Sequence, residues 1–490
     1  MEFVVNGKSV SFDSSKTALT DGKRHLSYRD IYVRINSTVS ILEQHGIQSV
    51  VISCRNSIDW CIFYLSCFFC DKKVFVLNNQ HTSEELIQFC TDYGINAIIS
   101  DSEVEFNLSI SAIEVPDVEL CGIHIVNRES LDEQLCDVST ILFTSGTTGK
   151  PKGVMLTYEN IVTNVLAVTD YISYSSKDTI LIVKPLYHSS TLTAELIAGI
   201  LCGATLFIYS EGFNPLRILQ ICNQNPITIL GAVPTMIASL VRFSAKYKGG
   251  LRAVSISGAY LDVKLAVDMH KMFNCDIYHC YGLSEASPRV TYLDPNLFIN
   301  KAGSIGKPIS GVSVILINEN GERIESSHTI GELAVQGKNV MKGYYRRPEL
   351  TSRVLSEGIL LTGDLGYRDE DGFFYLRGRK DEMIVRGGLN VWPSSIEDAI
   401  RSLYFVKEVA VIGIEDYFYS NKIVAFIVLA SHAVSNTDNA KQIIAKACKK
   451  HNVISPDQIE FTESIPKSPV GKIQRYKLRE LWLQKSQAIR

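Results

Sequence analysis

The densest chemistry in the chain lies in Phe143-Thr144-Ser145-Gly146-Thr147-Thr148-Gly149-Lys150-Pro151-Lys152-Gly153-Val154, which offers four hydroxyls, three glycines and two lysines. Hydroxyls and bare backbone N–H groups surround phosphate oxygens, and lysines neutralise their charge. A Walker A loop needs four residues between its first Gly and Gly-Lys-Ser/Thr, and this run does not have that spacing. A hairpin turn needs one or two Gly or Asn residues, not a dozen residues of this kind. The run therefore reads as a phosphate-handling loop suited to ATP.

Five further stretches are hard to explain as packing. Pro185-Leu186-Tyr187-His188 is expected to end a strand with an aromatic ring and a His. Tyr281-Gly282-Leu283-Ser284-Glu285 puts a hydroxyl beside a carboxylate. Thr362-Gly363-Asp364 reads as a turn whose Asp could accept hydrogen bonds from a ribose diol. Gly378-Arg379-Lys380-Asp381-Glu382 leads into Arg386-Gly387-Gly388-Leu389-Asn390. Pro469-Val470-Gly471-Lys472-Ile473 places one Lys in a short Gly turn. Singly, each has an ordinary explanation: a satisfied core His, a turn Asp, a helix-terminal Glu, a solvated Lys. Their occurrence together, in this order, carries the argument.

These residues need a scaffold of several domains, because 490 residues exceed a single core. Brief β-branched runs alternate with helical patterns: Val50 to Ser53, Val74 to Leu77, Ala97 to Ser100 and Ser139 to Phe143 before the loop, then Thr179 to Val183, Ala204 to Ile208, Ile227 to Leu230 and Ala253 to Ile256. Such alternation indicates α-covered, largely parallel sheets, with ligands at the carboxyl ends of the strands. Ser27 is a plausible N-cap for a helix opening near Tyr28. From about 300 the pattern turns to short strands with Gly-rich turns, a small β-rich subdomain. From about 382 a compact α+β segment follows, with a helix at 395–403, β runs at 408–414 and 423–429, and a cationic helix near 440–450.

Composition excludes some classes. A net charge of −3, with 46% apolar and 21% charged residues, gives no argument for nucleic acid. The longest apolar run, Trp60 to Cys70, is too short to span a bilayer and reads as a buried helix. The start is not that of a signal peptide, and the end is neither a peroxisomal nor a prenylation signal. Twelve scattered cysteines suit reduced core thiols and a cytoplasmic protein. Cys67 and Cys70, a lone C-x-x-C, read as two small residues on one face of a buried helix.

With these motifs in place, the chain resembles the adenylate-forming superfamily: acyl- and aryl-CoA synthetases, adenylation domains of nonribosomal peptide synthetases and beetle luciferases. The resemblance runs from about Leu26 to Arg475, and the Thr144–Gly153 and Arg379–Asn390 segments carry most of it. It implies an α/β N-terminal domain over residues 1–380, including the β-rich subdomain, and a mobile α+β cap over 381–490 hinged near Asp381. It also implies ATP, Mg²⁺ and coenzyme A, or a carrier protein's phosphopantetheine, as the small molecules handled. Thr144, Ser145, Gly146, Thr147 and Thr148 would hold phosphates, with Lys150 and Lys152 nearby. Glu285 would bind Mg²⁺ beside Ser284. Asp364 and Arg379 would hold the ribose, while Gly258, Ala259, Tyr281 and Gly282 would border adenine and the acyl pocket. Lys472 would bridge carboxylate and α-phosphate, and Gly387 and Gly388 would approach the pantetheine arm.

The sequence departs from the family pattern at Ser257 and Tyr260, within a stretch similar to Gly-Gly-Ala-Pro-Leu, and at Ser420-Asn421, where Gly-Glu is common. His188 stands where amino-acid-activating members carry an Asp, which favours a carboxylic acid without an α-amine. No carrier-type Ser motif is seen. The implied reaction is activation of a carboxylic acid as an acyl-adenylate with release of pyrophosphate, followed by transfer to a thiol. The expected acceptor is coenzyme A, with an acyl carrier protein as the alternative and a luciferase-like oxygenase as a third reading. Tyr187, Tyr260 and Tyr281 could shorten the acyl pocket.

Overall fold

The computed structural model describes the chain except residues 1, 6, 7, 12, 102–110, 114–120, 127–130, 146–150, 260, 262, 417, 431–436, 468–472 and 489–490. It is an α/β protein of two compact units, one of Met1–Val314 and Val335–Leu360, the other of Ile315–Ala334 and Leu361–Arg490.

The first unit holds two large sheets. In the eight-stranded sheet, Val138–Ser145, Lys73–Val76, Ser49–Ser53 and Ala97–Asp101 lie side by side and parallel. Antiparallel strands close both edges: Pro151–Thr157 and Gly343–Tyr344 on one side, Cys121–Ile125 and Ser111–Ile113 on the other. In the nine-stranded sheet, the strands Thr17–Thr20, Thr205–Ile208, Thr179–Ile182, Ile229–Ala232, Ala253–Ile256 and Asp276–Gly282 run parallel. Every residue of Ser49–Ser53 and Ala97–Asp101 is buried, as strands covered on both faces require.

Local chemistry explains the helix starts. Ser27 and Asp30 exchange hydrogen bonds as a capping box at the head of Tyr28–Gln44, and Thr157 and Asn160 do the same for Tyr158–Ile172. The apolar run from Trp60 forms the helix Ile58–Phe69, buried along all but its last residue. Cys67 lies within that helix and Cys70 at its C-cap. Among the described residues no helix is long and apolar enough to cross a membrane.

Strands Val312–Ile317, Gly331–Gly337, Ile359–Arg368 and Leu355–Ser356 form a further sheet in that order, with Phe374–Arg379 paired to Ile359–Arg368. In the second unit, Val406–Asp416, Ser420–Leu429 and Gln458–Phe461 make a three-stranded sheet. Strand alternation divides its side chains between two cores. Val409, Val411, Ile423, Ala425 and Ile427 share one core with Ile396, Ile400, Ala440 and Ile444. Ala410, Ile412, Val424, Phe426 and Val428 pack with Ile465 and Leu478 on the other. The C-terminal helix Arg475–Ala488, which supplies Leu478, has no counterpart in the sequence reading.

Candidate active site

The two ends of the Gly- and Thr-rich run lie in paired strands. Val138–Ser145 and Pro151–Thr157 are antiparallel partners, with Thr144 opposite Lys152 and Ser145 opposite Pro151. Thr144 and Ser145 thus belong to a strand rather than a loop. Gly146, Thr147, Thr148 and Lys150 lie outside the described residues. Gly153 has a packing reason: a Cβ there would stand 3.1 Å from Ile141 and 3.2 Å from Phe143.

The returning strand delivers Lys152 to Tyr344, with Nζ 5.3 Å from the ring centroid. The Tyr344 hydroxyl in turn donates to Glu285 Oε1 at 2.8 Å. The Met341 N–H donates to the Glu285 carbonyl at 2.9 Å, fastening the same two segments through the backbone. Tyr344 is a residue that sequence reasoning missed. It lies 59 positions from Glu285, and no local spacing announces the contact. Glu285 sits in the 3-10 turn Ser284–Ala286, just past the carboxyl end of Asp276–Gly282. Gly282 is required there, because a Cβ would fall 1.9 Å from the Pro288 carbonyl oxygen.

His188 does not end a strand. Thr179–Ile182 stops earlier, and His188 occupies the N-cap position of the helical segment that begins at Ser189. The following Ser189 hydroxyl lies 3.1 Å from that of Ser284, joining this turn to the Glu285 turn. Burial, reinforced by Lys184 nearby, pushes the His188 imidazole down to about 3, so it is neutral at ordinary pH. Gly258 has φ +94°, a conformation that disfavours any side chain, and stands with Ala259 at the exposed end of Ala253–Ile256. Tyr281 is buried within its strand, and Tyr260 lies outside the described residues.

Beside His188 is a charged cluster that sequence reasoning also missed. Lys184 Nζ lies 2.6 Å from Glu195 Oε1, with both side chains buried. Arg289, fully buried, donates from Nη2 to the Ser255 hydroxyl at 3.2 Å. The available signal was a lone charge inside an apolar run, as Glu195 is in Leu192–Ile197.

In the second unit, Thr362-Gly363-Asp364 is not a turn but part of the ten-residue strand Ile359–Arg368. Asp364 pairs across the ladder with Arg379. The Arg379 Nη1 donates to the Thr362 carbonyl at 2.7 Å and to Asp364 Oδ1 at 3.2 Å, and its Nε to Asp381 Oδ1 at 3.3 Å. Gly363, at φ +71°, leaves room for that guanidinium, which would be 2.8 Å from a Cβ. Glu332 locks the place from behind, accepting from the Gly363 N–H at 3.0 Å and from Lys380 Nζ at 2.8 Å. Gly387 and Gly388, at φ +55° and +79°, form the two-residue turn between Ile384–Arg386 and Leu389–Val391. Two consecutive positive φ angles are what a type I′ hairpin demands. Lys472 lies outside the described residues. Near it in sequence, Arg475 reaches Glu397 at 2.6 Å and Glu382 at 3.1 Å.

The donor set suits a weakly protein-bound cation. No group of three or more His, Cys, Asp or Glu is arranged for a metal among the described residues. Glu285 is a single carboxylate, oriented through one oxygen by Tyr344. Mg²⁺ is usually held this way, by one or two carboxylates with substrate phosphates and water completing the shell.

The family model described as AMP-binding enzyme matches residues 8–345, and its C-terminal domain model matches residues 395–472. A long-chain-fatty-acid–CoA ligase of Bacillus subtilis is 34% identical over 70% of this chain, which spans 62% of that protein's length. A 2-succinylbenzoate–CoA ligase of Geobacillus kaustophilus is 28% identical over 95% of each chain. Among solved structures, the o-succinylbenzoate CoA synthetase of Bacillus subtilis with its acyl-adenylate intermediate superposes with a TM-score of 0.82, at 25% identity over 95% of both chains. The same enzyme with ATP and magnesium gives 0.81 at 25% identity, covering 95% of this chain and 97% of that one. The chain belongs to the AMP-binding enzyme family.

Proposed function

We propose that the protein is an AMP-forming acid–thiol ligase. It activates a small carboxylic acid with ATP, releases pyrophosphate, and passes the acyl group to coenzyme A. The observation that carries this reading is the end-to-end likeness to a CoA synthetase structure that holds an acyl-adenylate.

A carboxylate is a poor electrophile because its oxide leaving group is too basic. Attack of the acid's oxygen on the α-phosphorus of ATP forms a new P–O bond and expels pyrophosphate. The thiolate of the acceptor then attacks the acyl carbon, and AMP leaves with the C–O electron pair. Charge accumulates on phosphate oxygens, so the protein's task is mainly to place cations and hydrogen-bond donors. Mg²⁺, when bound, neutralises phosphate charge. Glu285 would ligate it, with its carboxylate aimed by Tyr344. Thr144 to Thr148 with Lys150 and Lys152 would face the departing pyrophosphate. Asp364, steadied by Arg379, would accept from the ribose diol. Gly258, Ala259, Tyr281 and Gly282 would line the adenine and acyl edges, with neutral His188 against the reacting carboxylate. Lys472 would bridge that carboxylate and the α-phosphate. Gly387 and Gly388 would pass the pantetheine arm, and Asp381 would be the hinge between residues 1–380 and a mobile cap.

The experiment is pyrophosphate release across a panel of carboxylic acids, followed by thioester formation with free coenzyme A and with holo-carrier proteins in parallel. Lys472→Ala is expected to lower adenylate formation at least about a hundredfold, the usual scale for one well-aimed donor. Thioester formation from supplied acyl-AMP should survive. Equal loss of both half-reactions would remove Lys472 from its assigned role. Silence on every acid in the panel would overturn the ligase reading itself.

A further inference from the structure

Lys184, Glu195 and Arg289 are each buried, with Lys184 near His188 and near both of the others. Buried charges normally come with matched partners, because stripping one of water is costly. Here the charges do not match. Glu195 is taken up by Lys184 at 2.6 Å, while Arg289 has only the neutral Ser255 hydroxyl at 3.2 Å as a hydrogen-bond partner. Arg289 Nε is buried with no partner, and so are Thr191 Oγ1, His188 Nε2 and Glu195 Oε2. Burial holds the Lys184 amine below its ordinary range, with Arg289 adding to the effect and Glu195 opposing it.

The cluster is a built feature of the fold. Glu195 packs directly on Gly231: a Cβ there would come within 2.2 Å of Glu195 Oε1, so the carboxylate would have to shift. Lys184 follows Thr179–Ile182, Gly231 lies in Ile229–Ala232 and Ser255 in Ala253–Ile256, so these residues gather at the carboxyl ends of three neighbouring parallel strands. Arg289 pairs with Gly282 at the carboxyl end of the next strand but one from Ile229–Ala232, four residues beyond Glu285. This is the side of the sheet on which ligands bind.

We propose that Arg289 is a specificity residue that seats a second anionic group of the acid substrate, so that the enzyme takes dicarboxylates in preference to monocarboxylic acids of matched length. This inference rests on the ligase reading for the identity of the site. The distal carboxylate accepts from Arg289 Nε, which is buried without a partner, and supplies the missing counter-charge. An apolar chain end would leave that donor buried and unpaired. An ammonium end would face two cations against one carboxylate.

The test compares matched pairs, such as adipate with hexanoate and a phenyl-linked diacid with its monoacid, on the full-length protein. One arm reads kcat/KM for pyrophosphate release. The other reads the shift in unfolding temperature on adding each acid alone, which requires no turnover. The wild type should favour the diacid at least tenfold in kcat/KM and show the larger thermal shift with it. Arg289→Met should lower the diacid-to-monoacid ratio at least tenfold, and Arg289→Lys, which keeps the charge, should retain most of it. A wild type that favours the monoacid, or a ratio unchanged in Arg289→Met, overturns the proposal. If no acid releases pyrophosphate but the Arg289-dependent thermal shift persists, the ligase reading fails and the anion site stands. If Arg289→Met does not fold, the Arg289→Lys ratio and the wild-type thermal shifts decide.

Discussion

Tyr344 holds Glu285 by a 2.8 Å hydrogen bond from its phenol, and the ring of the same tyrosine lies beneath the Lys152 ammonium at 5.3 Å. One side chain thus orients the proposed metal carboxylate while stacking under a cation of the strand Pro151–Thr157. Tyr344→Phe keeps the ring and removes the donor. A hydrogen bond to a charged group contributes about 1.5–3 kcal/mol, so the Mg²⁺ concentration for half-maximal pyrophosphate release should rise about tenfold or more. An unchanged Mg²⁺ titration would mean that the carboxylate needs no such orientation.

Arg379 braces Asp364 by contacts to the Asp364 carboxylate and to the Thr362 carbonyl. Arg379→Ala frees the carboxylate to rotate within its strand. The KM for ATP should rise by about tenfold to a hundredfold, the equivalent of one charge-assisted hydrogen bond. The measurement is ATP titration at saturating acid, with AMP binding by calorimetry as the equilibrium check.

Arg475 ties the head of the C-terminal helix to Glu397, Glu382 and the Val411 carbonyl. The Glu397 side chain is only 5% exposed and Glu382 is 22% exposed. Breaking a buried pair by removing one partner costs about 3–5 kcal/mol, so Arg475→Ala should strongly destabilise the second unit. Glu382→Ala should cost much less, because its charge is partly solvated. Urea unfolding followed by the tryptophan fluorescence of the unit compares the two.

His188 gives a pH signature with a definite sign. An unfolded histidine takes up its proton near 6.5, whereas the folded one resists until about 3. Between those values the unfolded chain carries a proton that the folded chain lacks. Its contribution to stability is therefore complete above about 6.5 and declines as the pH falls toward 3, by about 1.4 kcal/mol per pH unit. The difference between wild type and His188→Gln isolates this slope from that of other titrating groups such as His279. Parallel acid-unfolding curves for the two proteins would contradict the assignment.

Features that depend on short-range order were legible without coordinates. The capping chemistry of Ser27, the β-branched strand cores and the buried helix after Ile58 each follow from a few adjacent side chains. The run from Phe143 to Val154 stands out in the same way, through the density of its hydroxyls, glycines and lysines. The sequence did not show that the two ends of this run pair as antiparallel strands, because strand register is set by backbone pairing rather than by residue type. Thr362-Gly363-Asp364 looked like a turn for a related reason. Its glycine serves the distant Arg379 guanidinium rather than a chain reversal. Only the tertiary structure brings Tyr344 to Glu285, and Lys184, Glu195 and Arg289 together across helix and strand ends. Charge neutralisation in a low-dielectric interior acts through space, so its partners carry no spacing that a sequence can display.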